Sequence, residues 1–169
     1  MKNIIFILCL SLSPFVLMSA TQEGQENIKD EQRKEFLCVS QPKARLREGP
    51  STKTTHLRTI YKHTPLIKLG HEDRWYHIED HRGRKAYVFD SLVKPTDQCA
   101  LVLGGAKTFK NSTTGSAPYE RRPEVHHQEG LKIIENDIGQ AHVVDRFGNE
   151  FWVGNSKLWP PKHRIQIKF

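Results

Sequence analysis

From Cys38 onward the chain carries no long segment with apolar residues at i, i+3, i+4 and i+7, the spacing of one helix face. Short runs rich in β-branched and aromatic residues stand instead at 57–61, 66–69, 75–78 and 86–89. Turn formers separate them: Gly49-Pro50-Ser51, Thr64-Pro65, Gly70 and Arg82-Gly83. Several short strands at this spacing predict an all-β fold, a small barrel or sandwich.

The pattern then repeats. Residues 76–95 read YHIEDHRGRKAYVFDSLVKP and residues 141–160 read AHVVDRFGNEFWVGNSKLWP. At a constant offset without a gap, His77 meets His142, Asp80 meets Asp145, Gly83 meets Gly148, Tyr87 meets Trp152 and Pro95 meets Pro160. Turn and apolar positions coincide, as a repeated hairpin requires: glycine supplies the turn and alternating positions face one core. Upstream the match is weaker, with Ala44-Arg45 against Ala106-Lys107. Residues 104–128, with Asn111-Ser112-Thr113-Thr114-Gly115-Ser116 and two prolines, read as a long loop. The expected organisation is one domain at 38–95 and a more decorated one at 99–160. Domains of this size bury limited apolar area and gain from packing together or from a staple.

The flanks differ from this body. Residues 1–20 have a basic start at Lys2, an apolar stretch and a small residue at Ala20, and read as a secretory signal peptide. The alternative is an uncleaved anchor, for which the run is barely long enough; no stable membrane span is expected in the mature form. Residues 21–37 are polar and read as a flexible leader. Residues 161–169 end in the alternating His163-Arg164-Ile165-Gln166-Ile167-Lys168-Phe169, a tail or an extra edge strand. Cleavage removes Cys9 and places the protein outside the cytoplasm, secreted or periplasmic. Cys38 and Cys99 then remain, as a disulfide or as two free thiols.

Charge refines the picture. The 169 residues carry 26 Lys and Arg against 19 Asp and Glu, a formal charge of +7. Residues 38–95 hold twelve basic and six acidic side chains, a net of +6, whereas residues 99–160 hold seven of each. The base therefore lies on the first block, which points to an anionic partner there. The export signal argues against nucleic acid as that partner.

The first block resembles the bacterial SH3 domain family. Its opening element is Ala44-Arg45-Leu46-Arg47-Glu48-Gly49-Pro50-Ser51. The strands around Leu57-Arg58-Thr59-Ile60-Tyr61 and Leu66-Ile67-Lys68-Leu69-Gly70 follow, then Trp75 opening the next strand, Gly83 in a turn, and Ala86-Tyr87-Val88. Ala86 and Tyr87 depart from the family's Gly-Trp pair. The resemblance spans residues 38–94, and the second block reads as a degenerate copy with Phe151-Trp152-Val153. It implies two small SH3-like barrels in tandem. Chain ends lie close in such barrels, so it also implies that Cys38, just before the first strand, and Cys99, just after the last, approach within disulfide distance. Closing a loop of about 60 residues is worth roughly 4 kcal/mol in the chain-entropy model.

By the same resemblance the expected function is binding, of peptidoglycan or of an envelope protein. The expected ligand residues are Arg45, Arg47, Trp75, Tyr76, Arg84 and Tyr87. The alternative is a protein-interaction or scaffolding module that takes a peptide at a sheet edge. Catalysis is not expected. A nucleophilic cysteine needs a histidine in reach and a cation or helix end to lower its pKa, and Asp97-Gln98-Cys99-Ala100-Leu101 lacks the small-residue turn such a nucleophile favours. Neither a metal nor another cofactor is expected. His126 and His127 are adjacent and would point to opposite faces of a strand, and no His/Cys spacing matches a zinc motif.

Overall fold

A computed structural model describes residues 34–111 and 117–161. The expected signal peptide, the leader through Arg33 and the tail from Lys162 lie outside the described residues. The first sheet holds β1 (Phe36–Val39), β2 (Lys43–Arg47), β3 (His56–Tyr61), β4 (Pro65–Glu72), β5 (Trp75–Glu79), β6 (Lys85–Phe89) and β7 (Val93–Pro95). The second holds β8 (Cys99–Val102), β9 (Ala106–Phe109), β10 (Glu124–Val125), β11 (Gly130–Asp137), β12 (Gln140–Val144), β13 (Glu150–Gly154) and β14 (Leu158–Trp159). The first runs in the order β3-β2-β6-β5-β4-β1-β7 and the second in the order β10-β9-β13-β12-β11-β8-β14. Strand for strand these orders are the same. The fold is all-β, two small SH3-like barrels in tandem.

Alternation builds each core. In β2, Ala44 and Leu46 are buried while Arg45 is exposed; in β6, Ala86 and Val88 are buried; in β13, Phe151 and Val153 are buried. Leu37, Leu66 and Ile78 complete the centre of the first core, and Leu131, Val143 and Phe151 that of the second. Segment 104–128, read as loop from its sequence, contains β9 and β10. Ala106, Thr108 and Val125 turn inward there. Each apolar alternation is only two to four residues long, too short to register against the surrounding turn formers.

The hairpin repeat has a physical cause in one buried carboxylate per barrel. Asp80 follows β5, and its Oδ1 accepts the N–H groups of Arg82 and Arg84, both at 2.9 Å. Asp145 follows β12, and its Oδ1 accepts those of Phe147 at 2.7 Å and Asn149 at 2.9 Å. The backbone closes the same way in both turns. Gly83 donates to the carbonyl of Asp80, and Gly148 to that of Asp145. These glycines have φ of 73° and 89°, a region in which a side chain is strained. An arginine from elsewhere in each barrel reaches its carboxylate. Arg58 of β3 donates to Asp80 Oδ2 at 2.6 Å, and Arg122 pairs with Asp145 and with Glu129.

The two barrels are joined at several points. Cys38 and Cys99 form a disulfide with a Cα separation of 6.1 Å. It differs in kind from the staple expected for the first barrel's ends. Cys38 lies within β1 and Cys99 opens β8, so the bond ties the first strand of one barrel to the first strand of the other. Gly130 packs against the turn at 62–64, where a Cβ would stand 2.6 Å from the carbonyl carbon of His63 and 2.7 Å from the carbonyl oxygen of Lys62. Only glycine permits that approach. Phe36 meets Trp159 edge to face at 6.0 Å, and the Arg146 guanidinium lies over the Tyr61 ring at 5.2 Å.

Two stability effects are expected. Asp145 is 1% exposed, so Asp145→Ala leaves the N–H groups of Phe147 and Asn149 without their acceptor and strips Arg122 of one of its two carboxylates; it costs about 3–5 kcal/mol, read as a lower urea midpoint. Replacing both Cys38 and Cys99 by Ala removes a cross-link between residues 61 apart. Roughly 4 kcal/mol of stability should be lost, and a wild-type midpoint in the double variant would count against the bond.

Candidate functional site

Two surfaces collect the charged and aromatic side chains of the first barrel. One is the outer face of β2, β6 and β5. In register across these strands, Arg47 pairs with Tyr87 and Tyr87 with His77, while Trp75 pairs with Phe89. The His77 and Tyr87 rings stack at 4.9 Å, and Trp75 meets Phe89 edge to face at 5.2 Å. The Arg74 guanidinium lies over Phe89 at 4.6 Å, a cation–π contact. Arg45, two residues before Arg47 on β2, shares this face and is exposed. The second barrel repeats the central stack, with His142 and Trp152 parallel at 5.0 Å.

The expected ligand residues do not all meet here. Arg45, Arg47, Trp75 and Tyr87 share the outer face. Trp75 is 8% exposed, so it supports the face from beneath more than it offers a ring to a ligand. Tyr76 pairs with Val88, a core position, and packs against the core with its ring 4.4 Å from that of His71. Strand alternation puts neighbours on opposite faces, so Tyr76 separates from Trp75 and Tyr87. Arg84, in the β5–β6 turn, lies on the second surface.

That second surface is a cleft of about 310 Å³ between the barrels. The first barrel contributes Arg58, Tyr61, Asp80, His81 and Arg84; the second contributes Leu101, His127 and Gln128. Asp80 anchors it. Its Oδ2 accepts Arg58 Nη2 at 2.6 Å and Arg84 Nε at 3.0 Å. Burial works against the Asp80 charge, but the Arg84 and Arg82 N–H groups, the Arg84 side chain and the Arg58 charge outweigh it and hold the carboxyl below its usual range. Burial lowers the His81 pKa below 6.5, with Asp80 opposing and the nearby arginines assisting. Sequence reasoning missed Arg58, Asp80, His81, His127 and Gln128 as a group. The one available signal was the Asp80–Asp145 match, an ionisable residue kept at the same hairpin position in both blocks.

Residues 42–94 match the family model of the bacterial SH3 domain. The first barrel is a bacterial SH3 domain. No curated protein matches the chain. Among solved structures, NlpC2 and NlpC1 from Trichomonas vaginalis are similar at 10% and 11% identity, with TM-scores of 0.35 and 0.36. The matches cover 82% and 79% of this chain, which spans about half the length of each, 51% and 48%.

The SH3 signature of this chain can be followed atom by atom. Arg47 Nη1 donates to the carbonyl of Thr54 at 2.7 Å, and Thr54 Oγ1 donates toward the carbonyls of Gly49 and Ser51 at 2.9 and 2.8 Å. Arg47-Glu48-Gly49-Pro50-Ser51 is thus a loop held shut by Arg47 and Thr54. One donor of Arg47 is committed to the domain's own backbone, which leaves Arg45 as the more available cation of the pair.

A histidine at the joint sets a pH response. His63, in the turn against Gly130, has its pKa lowered to about 4, first by burial and then by Lys62 and Lys132, with Asp145 opposing. The unfolded chain takes up this proton near pH 6.5 and the folded chain only near pH 4, so stability falls as the pH drops through that window. The carboxylates Asp80 and Asp145 are depressed, so their contribution is lost at lower pH, below their ordinary value of 3.8. His63→Asn, which tolerates the φ of 68° found there, should reduce the fall in melting temperature between pH 6.5 and 4. An unchanged slope would remove His63 from the account.

Proposed function

We propose that this protein is a non-catalytic binding protein of the bacterial cell envelope, secreted or periplasmic. It recognises peptidoglycan, or another envelope component, through the outer face of its SH3 domain. The SH3 match over residues 42–94 carries this reading. Three features support it. The net +6 charge of residues 38–95 favours a polyanionic partner. Exposed Arg45 shares its face of β2 with Arg47, whose cross-strand partner is Tyr87 of the His77–Tyr87 stack, so cations border an aromatic surface. The Cys38–Cys99 disulfide suits an oxidising compartment, and it occupies both thiols, so neither serves as a nucleophile.

The alternative partner is a protein rather than the wall. β3 lies at one end of the first sheet's strand order and carries the exposed Leu57, 47% accessible, so a partner strand has an edge to pair with.

Sedimentation with purified sacculi separates these readings. The mature protein should pellet at low salt and release as salt screens the contact. Arg45→Ala should lower the pelleted fraction several-fold, and Lys107→Ala on the second barrel should not. Absence of pelleting at low salt rejects the wall as ligand and leaves the edge-strand reading to be tested by capture of envelope proteins. Salt-insensitive pelleting rejects the electrostatic contact.

A further inference from the structure

The outer face does not account for the cleft between the barrels, whose polar groups converge from both. We propose that this cleft is a second binding site that receives the free terminal carboxylate of a short peptide. The choice of peptide rests on the envelope reading above; the choice of carboxylate rests on the cleft itself.

The charge balance decides the sign of the ligand. Arg58 and Arg84 share one carboxylate, Asp80, so this trio carries one net positive charge. His81 adds none at neutral pH. A guanidinium has five N–H donors. Arg58 gives Asp80 its Nη2, and Arg84 gives it Nε and Nη2. Donors therefore remain on both side chains, fixed in orientation by a carboxylate whose side chain is 7% exposed. Such preorganised forks suit a carboxylate, which they meet with two parallel hydrogen bonds. A monoanion neutralises the trio, whereas a phosphate monoester would leave excess negative charge.

Size and lining decide the rest. About 310 Å³ is at the lower end of the range for small-ligand sites, roughly 300–1,000 Å³, which suits the end of a chain and not a folded partner. Half-buried Ile60 and exposed Tyr61 supply an apolar wall for small side chains, with Leu66 and Leu101 buried behind them. Gln128, from the second barrel, brings an amide able to bond a peptide group, and its Nε2 lies 3.4 Å from His81 Nε2. The site is complete only with both barrels in place. The Gly130 contact and the disulfide therefore belong to it as positioning elements.

The test is titration of the full mature chain, followed by calorimetry and by NMR. The probes are diacetyl-Lys-D-Ala-D-Ala, the same peptide as its C-terminal amide, and inorganic phosphate. The acid should bind, the amide at least ten-fold more weakly, and phosphate more weakly than the acid. Arg84→Gln should weaken the acid at least ten-fold, and Lys107→Ala should leave it unchanged. The amide probe needs no variant, so the comparison survives if Arg84→Gln disturbs the turn. Equal binding of acid and amide, no binding of the acid, or tighter binding of phosphate each overturns the proposal. Retained pelleting with sacculi alongside failure of the acid rejects the cleft alone. Binding of the acid without pelleting rejects the wall-binding face alone.

Discussion

The carboxylate of Asp80 is the contact on which most of the first barrel's chemistry depends. It accepts two backbone N–H groups and so sets the β5–β6 turn. It also draws Arg58 and Arg84 together, from positions 22 and 4 residues away. A buried carboxylate is costly unless each lone pair is used, and here both oxygens are engaged. One group therefore serves the fold and the cleft at once. Asp145 repeats the turn in the second barrel, but its arginine, Arg122, is shared with Glu129 and is largely buried. The same local device is structural in one barrel and faces a cleft in the other.

The second constraint is the joint. Two barrels of this size each bury a modest core, and they gain by sharing surface. Gly130 allows β11 to start directly against the 62–64 turn, Cys38 and Cys99 lock the first strands, and Trp159 reaches Phe36 and lies near His81. His63 and Gln128 occupy the same turn in the two barrels, both with positive φ, 68° and 63°. In the first barrel that turn faces Gly130; in the second it lines the cleft. Equivalent positions have taken unequal roles because the joint makes the two barrels' surroundings different.

How far the sequence could be read follows from the range of the forces involved. The β5–β6 and β12–β13 hairpins were legible because a turn glycine, a turn carboxylate and an alternating core are local signals, repeated at a constant offset. β9 and β10 were not, since Ala106, Thr108 and Val125 gain their inward positions from strands elsewhere in the chain. Among the expected ligand residues, alternation alone separates Tyr76 from Trp75 and Tyr87. Arg47 stands opposite Tyr87, and its bond to the Thr54 carbonyl depends on the closure of a loop.

Local pattern and composition were enough for an all-β chain, a repeated hairpin, an SH3 signature and a basic first block. Each of these depends on neighbours a few residues apart or on counting charges. The strands that the Cys38–Cys99 bond joins, the seat for Gly130, the division of Arg84 from Arg45 and the existence of a cleft required the folded pair of barrels. Those contacts join residues tens of positions apart, and nothing along the chain records which surfaces meet until two cores have formed and been packed together.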